Sequence, residues 1–438
     1  MVLVALAVFL LTYAALSVPA VGRGAKRLVS RGGRPGFLNR FVERPGFALL
    51  GGLLMVLLGV VAWGDAVAAV NLEVIFLLLG MMALVAGLQA ANVFAVVASV
   101  VVTHAGNQRR LFVAVMAVTA VLSALVLNDA VVLIFTPILV LACREMEVDP
   151  MPYLAAECVA ANIGSVATPV GNPQNALIAL ESGLTFLAFS APLTPVALAC
   201  LAVAAVFGLW FFRKDLAKPL AHRPDQPLAL ITNKPLFVAS LLVTALILTG
   251  FVVGHLLTVP TPWGPMELAL DKVALLGGLL LVLLAWPVGR VAPTRIVRNI
   301  DFGILVFFAG LFVLMAGVRE SGLLALLYEG LAFIPFATVG GLTVASAVLS
   351  NLVSNVPAVV LLLPALHEAA RPDLWLALAA ASTLAGNATL LGAAANVIVA
   401  ETAKGQGAEF DVWRFMKFGF PLTVITLLVS WGMLLLLV

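Results

Sequence analysis

The sequence predicts an all-α polytopic membrane protein built as two inverted repeats, and three observations carry the prediction. Of 438 residues, 63% are apolar and 10% charged, where an ordinary soluble domain holds about 45–50% and about 25%. Apolar runs of about 20 residues, each long enough to cross a ~30 Å hydrocarbon core as a helix, recur along the chain. Three stretches of the first half, polar residues included, return in the second half in the same order. The composition excludes a sizeable water-soluble domain. The first run, Met1 to Pro19, has no basic segment before it and no small-residue cleavage site after it, so it reads as a retained span and not as a signal peptide. Cys143, Cys158 and Cys200, with no C-x-x-C spacing, offer neither a disulfide framework nor a zinc site.

The repeat is specific. Phe76 to Met82 with Gly87 matches Val306 to Phe312 with Gly317 at an offset of 230. Ser123 to Asn128 with Pro137 matches Ser350 to Asn355 with Pro364 at an offset of 227. Ala167 to Asn175 matches Ala388 to Asn396 at an offset of 221, both reading A-T-x-x-G-x-x-x-N. Shared Leu, Val and Gly would follow from composition alone, but Ser, Asn and Thr recurring at fixed spacing inside apolar runs point to duplication.

In the first half the crossings fall at about 1–19, 46–70, 72–91, 153–182 and 190–212. The stretch 111–142 differs, with charged flanks and the pair Asn128-Asp129 midway. Its two arms are short for full spans, and a polar turn at membrane depth is tolerated only when buried in protein or facing water, so a re-entrant hairpin fits. Five crossings per half then force the second half to enter the membrane upside down. The repeats become 1–212 and 236–438 around a cytoplasmic linker 213–235. The second repeat carries its hairpin at about 340–366 and its broken helix at about 374–403, opposite 153–182 in the first. This arrangement places 21 of the 24 Lys and Arg on one face, leaving only Lys272, Arg319 and Arg371 elsewhere, as the positive-inside rule requires. Both termini are expected outside and Arg34 and Lys218 in the cytoplasm, with the chain in the inner (plasma) membrane. The basic clusters lie between apolar runs, which explains them by topology without a nucleic-acid partner; the partners expected are lipid and a small solute or ion.

The hairpin tips, Asn128-Asp129 and Ser350-Asn351 with Ser354-Asn355, are expected near the midplane. The interrupted helices 153–182 and 374–403 carry Gly, Pro and Asn at the break, where free N–H groups suit an anion and free carbonyls suit a cation. The substrate-binding candidates are Asn128, Asp129, Thr168, Asn172, Asn175, Ser354, Asn355, Thr389 and Asn396. Two pseudo-symmetric Na⁺ cages are expected, one from Ser123, Asn128, Gly171 and Asn175, the other from Ser350, Asn355, Gly392 and Asn396. Asp129 has no acidic counterpart, since the 227 offset leads to Val356. It reads either as the coupling residue or as a capping aspartate. Glu157 reads as interfacial or as a proton relay. His104, His222, His255 and His367 fall in or beside loops, and Glu401 with Lys404 marks an interface. Gly80, Gly87, Gly310 and Gly317 have the spacing of close helix packing. No Arg or Lys is expected at membrane depth.

The block Asn128 to Pro137, the break Thr168 to Asn175, the block Ser350 to Pro357 and the break Gly386 to Asn396 resemble the ion transporter superfamily. That group includes divalent-anion/sodium symporters, citrate carriers, arsenite permeases and NhaD-type antiporters. The resemblance covers essentially the whole chain and implies a homodimeric scaffold with an elevator-type transport domain carrying hairpins and broken helices. It also implies sodium and substrate contacts at Leu127, Asn128, Asp129 and at Ser354, Asn355, Val356. Neither tip keeps the full Ser-Asn-Thr of the carboxylate carriers, which argues against a copied citrate or succinate site.

The function expected is secondary active transport of a small anion or oxyanion, an organic carboxylate or arsenite-like, coupled to Na⁺ or H⁺, with no other cofactor. The alternatives are an NhaD-type Na⁺/H⁺ antiporter and a channel of paired half-helices. An enzyme is not expected: H-E-x-x-H, G-x-S-x-G and a nucleotide-binding P-loop are all missing.

Overall fold

The computed structural model describes residues 1–17, 44–218, 231–262, 264–330, 334–369 and 371–438. Arg34 and most of the basic loop 20–45, together with His222 and Arg223, lie outside the described residues. The first half runs α1 (Val2–Ser17), α2 (Arg44–Leu57), α3 (Trp63–Ala68), α4 (Leu72–Ala90), α5 (Val93–His104), α6 (Gln108–Leu125), α7 (Asn128–Glu145), α8 (Met151–Ser165), α9 (Pro173–Ser182) and α10 (Phe186–Phe211). The second runs α11 (Lys234–Val253), α12 (Leu270–Gly289), α13 (Pro293–Val297), α14 (Phe302–Glu320), α15 (Leu323–Gly330), α16 (Val339–Val353), α17 (Asn355–Ala369), α18 (Pro372–Ala385), α19 (Ala394–Gly405) and α20 (Val412–Leu437). Seven described helices are long and apolar enough to span a bilayer. The chain is a multi-pass membrane protein.

The sequence of elements from α4 to α10 recurs from α14 to α20: a long helix, a short one, a helical hairpin, an interrupted helix and a 26-residue helix. Three details depart from expectation. The run 46–70 ends as a helix at Leu57 and resumes only in the short α3. The segment before the first hairpin forms α5. A two-stranded antiparallel ribbon, β1 (Thr258–Thr261) with β2 (Gly264–Glu267), links α11 to α12, so the chain is mostly rather than wholly helical. Its four-residue strands, Thr-Val-Pro-Thr and Gly-Pro-Met-Glu, are too short to be read as a span.

Two groups of helices emerge from the packing. In one, α4 lies along α12 and α14 along α2, so each sequence half hands its long helix to the other. Small residues set these seams. A Cβ on Gly80 would fall 2.2 Å from the Ala274 carbonyl carbon, and one on Gly310 would fall 2.4 Å from the Leu49 backbone nitrogen, so the backbones touch where packing alone must hold helices together. In the other group α8 and α18 sit at the centre. Every residue of α8 is buried, as are Leu374 to Ala385 of α18, which is why both are apolar and Ala-rich on all sides. Around them stand α6, α7, α10, α16, α19 and α20.

Loops 144–149, 213–218 and 404–414 meet at one end. Arg414 reaches Asp149 at 3.1 Å and Asp215 on the other side, and Arg144 donates to the Gln406 carbonyl. Gln108 donates to the Lys218 carbonyl at 2.9 Å. Arg144, Lys218 and Arg414, three of the bases grouped by the charge rule, therefore lie at one end of the described structure.

Gly80→Ala or Gly310→Ala forces two backbones apart and costs about 1–3 kcal/mol, lowering the thermal midpoint of detergent-solubilised protein. Gly59 and Gly330 face open space, but Gly59 has a φ of 70°. Gly330→Ala is thus the matched control, and an unchanged midpoint in all three variants would contradict the packing.

Candidate functional site

Each hairpin turns abruptly. Only Val126 and Leu127 separate α6 from α7, and only Ser354 separates α16 from α17. The polar residues expected at the tips therefore begin the return helices: Asn128 and Asp129 occupy the first turn of α7, and Asn355 the first position of α17. Ser350 and Asn351 belong to the last turn of α16. Ser354 has φ 72° and ψ 163°, a region that L-residues other than glycine enter at a cost of about 1–3 kcal/mol. Its counterpart Leu127, at φ −58°, is relaxed, so the two tips differ in backbone as well as in sequence.

The breaks in α8–α9 and α18–α19 are held by one repeated device. Asn175 Nδ2 donates to the carbonyls of Ser165 (2.9 Å) and Thr168 (3.2 Å). Asn396 Nδ2 donates to those of Gly386 (2.7 Å) and Thr389 (3.0 Å). In each case the amide reaches 10 and 7 residues back and satisfies carbonyls that lost their helical partners. The conserved spacing of A-T-x-x-G-x-x-x-N is thus a clamp on a chain reversal. Asn172 caps α9 by accepting from the Asn175 N–H at 2.8 Å, with Pro173 at the first helical position.

The two clamps are tied across the halves. Asn162 Nδ2 donates to Asn387 Oδ1 at 2.8 Å and to Asn396 Oδ1 at 3.1 Å, and Asn162 Oδ1 accepts from Asn128 at 3.4 Å. Thr383, which the 221 offset pairs with Asn162, donates to Asn175 Oδ1 at 3.4 Å and accepts from Asn172 and Gln174, each at 3.2 Å. With its amide turned to satisfy both ends, Asn355 donates to the carbonyls of Gly392 (2.9 Å) and Ser382 (3.0 Å) and accepts from Gln174 (3.2 Å). Asn128 offers its backbone N–H to the Gly171 carbonyl at 2.9 Å.

In front of this network opens a cavity of about 580 Å³ between the two helix groups. It brings together Asn128, Asp129, Ser354, Asn355 and Val356 from the tips and Pro173, Gln174, Ala393 and Ala394 from the breaks. The first turns of α7, α9, α17 and α19 all reach it, and each helix start carries about half a positive charge. Its other wall comes from Gln89, Arg298, Asn299, Asp301 and Phe308. Thr168, Asn172, Asn175, Thr389 and Asn396 stand behind the wall, in the network. Arg298 was expected among loop bases away from the site; it lines the cavity and is the basic residue among the described lining groups. Its reach from α13 depends on the short helix–turn that no spacing pattern announces. Gln174, Asn162 and Thr383 were likewise missed, and the pairing of 162 with 383 by the 221 offset was the available signal.

Ser123 Oγ and Ser350 Oγ, equivalent by the 227 offset, are buried with no hydrogen-bond partner. Gly171 lies against the carbonyls of Ser165 and Ser123, and Gly392 against Asn351 Oδ1 and the Gly386 carbonyl. A Cβ on Gly171 would fall 2.5 Å from the Ser165 carbonyl oxygen and one on Gly392 2.9 Å from Asn351 Oδ1, so oxygens crowd both glycines and a side chain at either would collide with them. Glu157 is not interfacial: it is fully buried, with Oε1 accepting from Thr136 at 2.9 Å and Oε2 unpartnered. His367 is in α17 rather than a loop, 3.6 Å from Glu181.

Helical hairpins and interrupted helices close on a polar cavity within a membrane-spanning fold, and comparison with known proteins gives the class, a membrane transporter. The chain belongs to the family described as "Citrate transporter" (CitMHS), whose family model matches residues 36–384. It is 31% identical over 408 residues to an uncharacterized transporter of Mycobacterium tuberculosis, covering 89% of this chain and 92% of the relative. It is 28% identical over 457 residues to the silicon efflux transporter LSI3 of Oryza sativa subsp. japonica, covering 88% and 90%. A putative transporter arsB of Dictyostelium discoideum is 25% identical over 499 residues, covering 89% and 86%. The fold is similar to that of the Alcanivorax borkumensis YdaH transporter, with a TM-score of 0.54 at 18% identity over 85% of this chain and 86% of that one.

Asn175→Ala and Asn396→Ala each remove two hydrogen bonds from buried break carbonyls, and Asn396→Ala leaves the Gly386 carbonyl without a donor, at about 1–3 kcal/mol per unsatisfied group. Both should lower the thermal midpoint, whereas Asn299→Ala at the exposed cavity wall should not. Equal midpoints would show that the clamps carry no weight. Ser354→Gly should raise the midpoint by relieving the tip, and a fall would contradict the strain.

Proposed function

We propose that the protein is a cation-coupled secondary carrier that moves a small oxyanion or its parent acid across the plasma membrane by an elevator-type movement of the hairpin-bearing helix group. The observation that carries this reading is the cavity itself: two tips and two helix breaks, related by the repeat, meet there at the boundary between the helix groups. Four helix starts favour negative charge on the solute, and the amides of Gln174 and Asn299 suit hydroxyl or oxo groups. The wall also holds Asp129, Asp301 and Glu401 against Arg298 alone, a balance that disfavours a free tricarboxylate. The relatives named for silicon efflux and arsB are consistent with a small hydroxylated solute.

Oxygens gathered where each tip meets its break are the kind of ligands that coordinate Na⁺. Ser123 Oγ with the carbonyls of Ser123 and Ser165 would hold one ion, and Ser350 Oγ with Asn351 Oδ1 and the Gly386 carbonyl the other. A bound ion draws carbonyl and hydroxyl oxygens of tip and break together, which completes the solute site only when the ion is present. Asp129, half-buried in the first turn of α7, adds a full charge to the first site that the second does not have, so the two sites differ in strength.

Counterflow in proteoliposomes tests the reading, because alternating access exchanges labelled for unlabelled solute without net flux. Arsenite or silicic acid should show counterflow that depends on Na⁺ or pH and net uptake driven by a Na⁺ or pH gradient, with citrate far weaker. Flux through an open pore with no counterflow would contradict it. Ser123→Ala and Ser350→Ala should each weaken the dependence on the cation about tenfold or more, through one lost ligand of about 1–3 kcal/mol. Asp129→Asn should flatten gradient dependence before it abolishes solute binding, and wild-type dependence in that variant would leave Asp129 as a helix-start acid.

A further inference from the structure

A second cavity, of about 200 Å³, lies between the same two helix groups and is lined by Asn71, Leu177, Glu181, Arg319, Val360 and His367 among others. Its lining is related to that of the large cavity by the repeat. Asn71 pairs with Asp301 and Arg319 with Gln89 at an offset of 230, Val360 with Leu133 at 227, and Leu177 with Ile398 at 221. Each cavity also receives one glutamate from a post-break helix, Glu181 of α9 and Glu401 of α19, one residue out of strict register and in the same turn. The two spaces are therefore the same feature in two conditions, one open to the tips and one contracted.

What contracts the smaller one is visible. Asn71, which starts α4 in the first helix group, donates from Nδ2 to Glu181 Oε1 at 3.0 Å, while Glu181 Oε2 faces His367 Nε2 at 3.6 Å. The bond joins the two helix groups directly. At the large cavity the corresponding partner of the glutamate is Asp301, whose Oδ1 already accepts from the Gly303 N–H at 3.0 Å, and two carboxylates cannot close on each other. Arg298, three residues before Asp301, is exposed on the same wall and supplies the missing donor.

We propose that Glu181 and Glu401 are the gate residues of one alternating device: Glu181 held by Asn71 shuts the smaller cavity in this conformation, and Glu401 takes up Arg298 when the larger cavity shuts. Exchange of the two conditions between pseudo-equivalent elements is the movement that carries solute from one side to the other. The inference rests on the carrier reading above. Glu401 closes on a guanidinium where Glu181 holds an amide, with Arg319 elsewhere on the smaller cavity's wall, so the Arg298–Glu401 contact is the more salt-sensitive of the two.

Asn71→Cys with Glu181→Cys, joined by a short bifunctional methanethiosulfonate reagent, tests the first gate; Cys143, Cys158 and Cys200 are buried. Cross-linking should lower arsenite counterflow by about tenfold or more, since one of two required states is removed, and reduction should restore it. Undiminished counterflow after complete cross-linking would overturn the gate while leaving the carrier reading intact. Absence of counterflow in the unmodified protein would overturn both. For the second gate, maleimide labelling of Asn299→Cys reports the open large cavity. Arg298→Gln and Glu401→Gln should each speed labelling and slow counterflow, and the exchanged pair Arg298→Glu with Glu401→Arg should return both rates toward those of the parent. Single variants that label at the parent rate, or an exchanged pair no better than the singles, would overturn the Arg298–Glu401 contact.

Discussion

The structure depends on a set of amides that cross between the sequence halves. Asn162 of α8 ends on Asn387 and Asn396, and Thr383 of α18 ends on Asn175. Both α8 and α18 are enclosed on every side, so their polar atoms have no water to fall back on, and an amide left open there would cost about 1–3 kcal/mol. Interrupting two buried helices is tolerable only because these side chains take over the backbone's hydrogen bonds. The breaks are thus fixed in place, and the helix starts that follow them aim at one cavity.

This constraint explains why polar residues sit where they do. Asn175 and Asn396 satisfy carbonyls of the breaks, and the tips complete the pattern, Asn128 giving its N–H to the Gly171 carbonyl and Asn355 its amide to the Gly392 carbonyl. The hydroxyls of Ser123 and Ser350 face inward without partners, and buried polar atoms of that kind call for an explanation. The cation proposed between tip and break would supply one for both.

Much of this was legible in the chain. The long apolar runs, the hairpins and the broken helices followed from length, charge and the limit on polar turns at membrane depth, and the glycines of α4 and α14 were recognisable as packing positions from spacing alone. The A-T-x-x-G-x-x-x-N repeat located both breaks. What it could not show was direction: Asn175 and Asn396 turn back onto their own break, while Gln174 and Ala393 face the cavity, a choice made by the cap and the Pro-started helix. The burial of Glu157 was hidden because α8 starts beside charged residues 144–149, so its first turns read as an interface although α6, α7 and α10 pack around them. Arg298 was hidden for the opposite reason, since a loop base moves to the cavity wall only when α13 folds the chain back against α4. Ser354's backbone strain has no sequence sign at all.

The cross-half amide node is tested most directly by a double-mutant cycle on Asn162 and Asn396, read as the thermal or denaturant stability of the purified protein. If the two side chains satisfy one another, each alanine substitution is strongly destabilising and the double variant costs less than their sum by about 1 kcal/mol or more. Two effects that add within about 0.3–0.5 kcal/mol would show that the halves are not joined through these amides and would contradict the account.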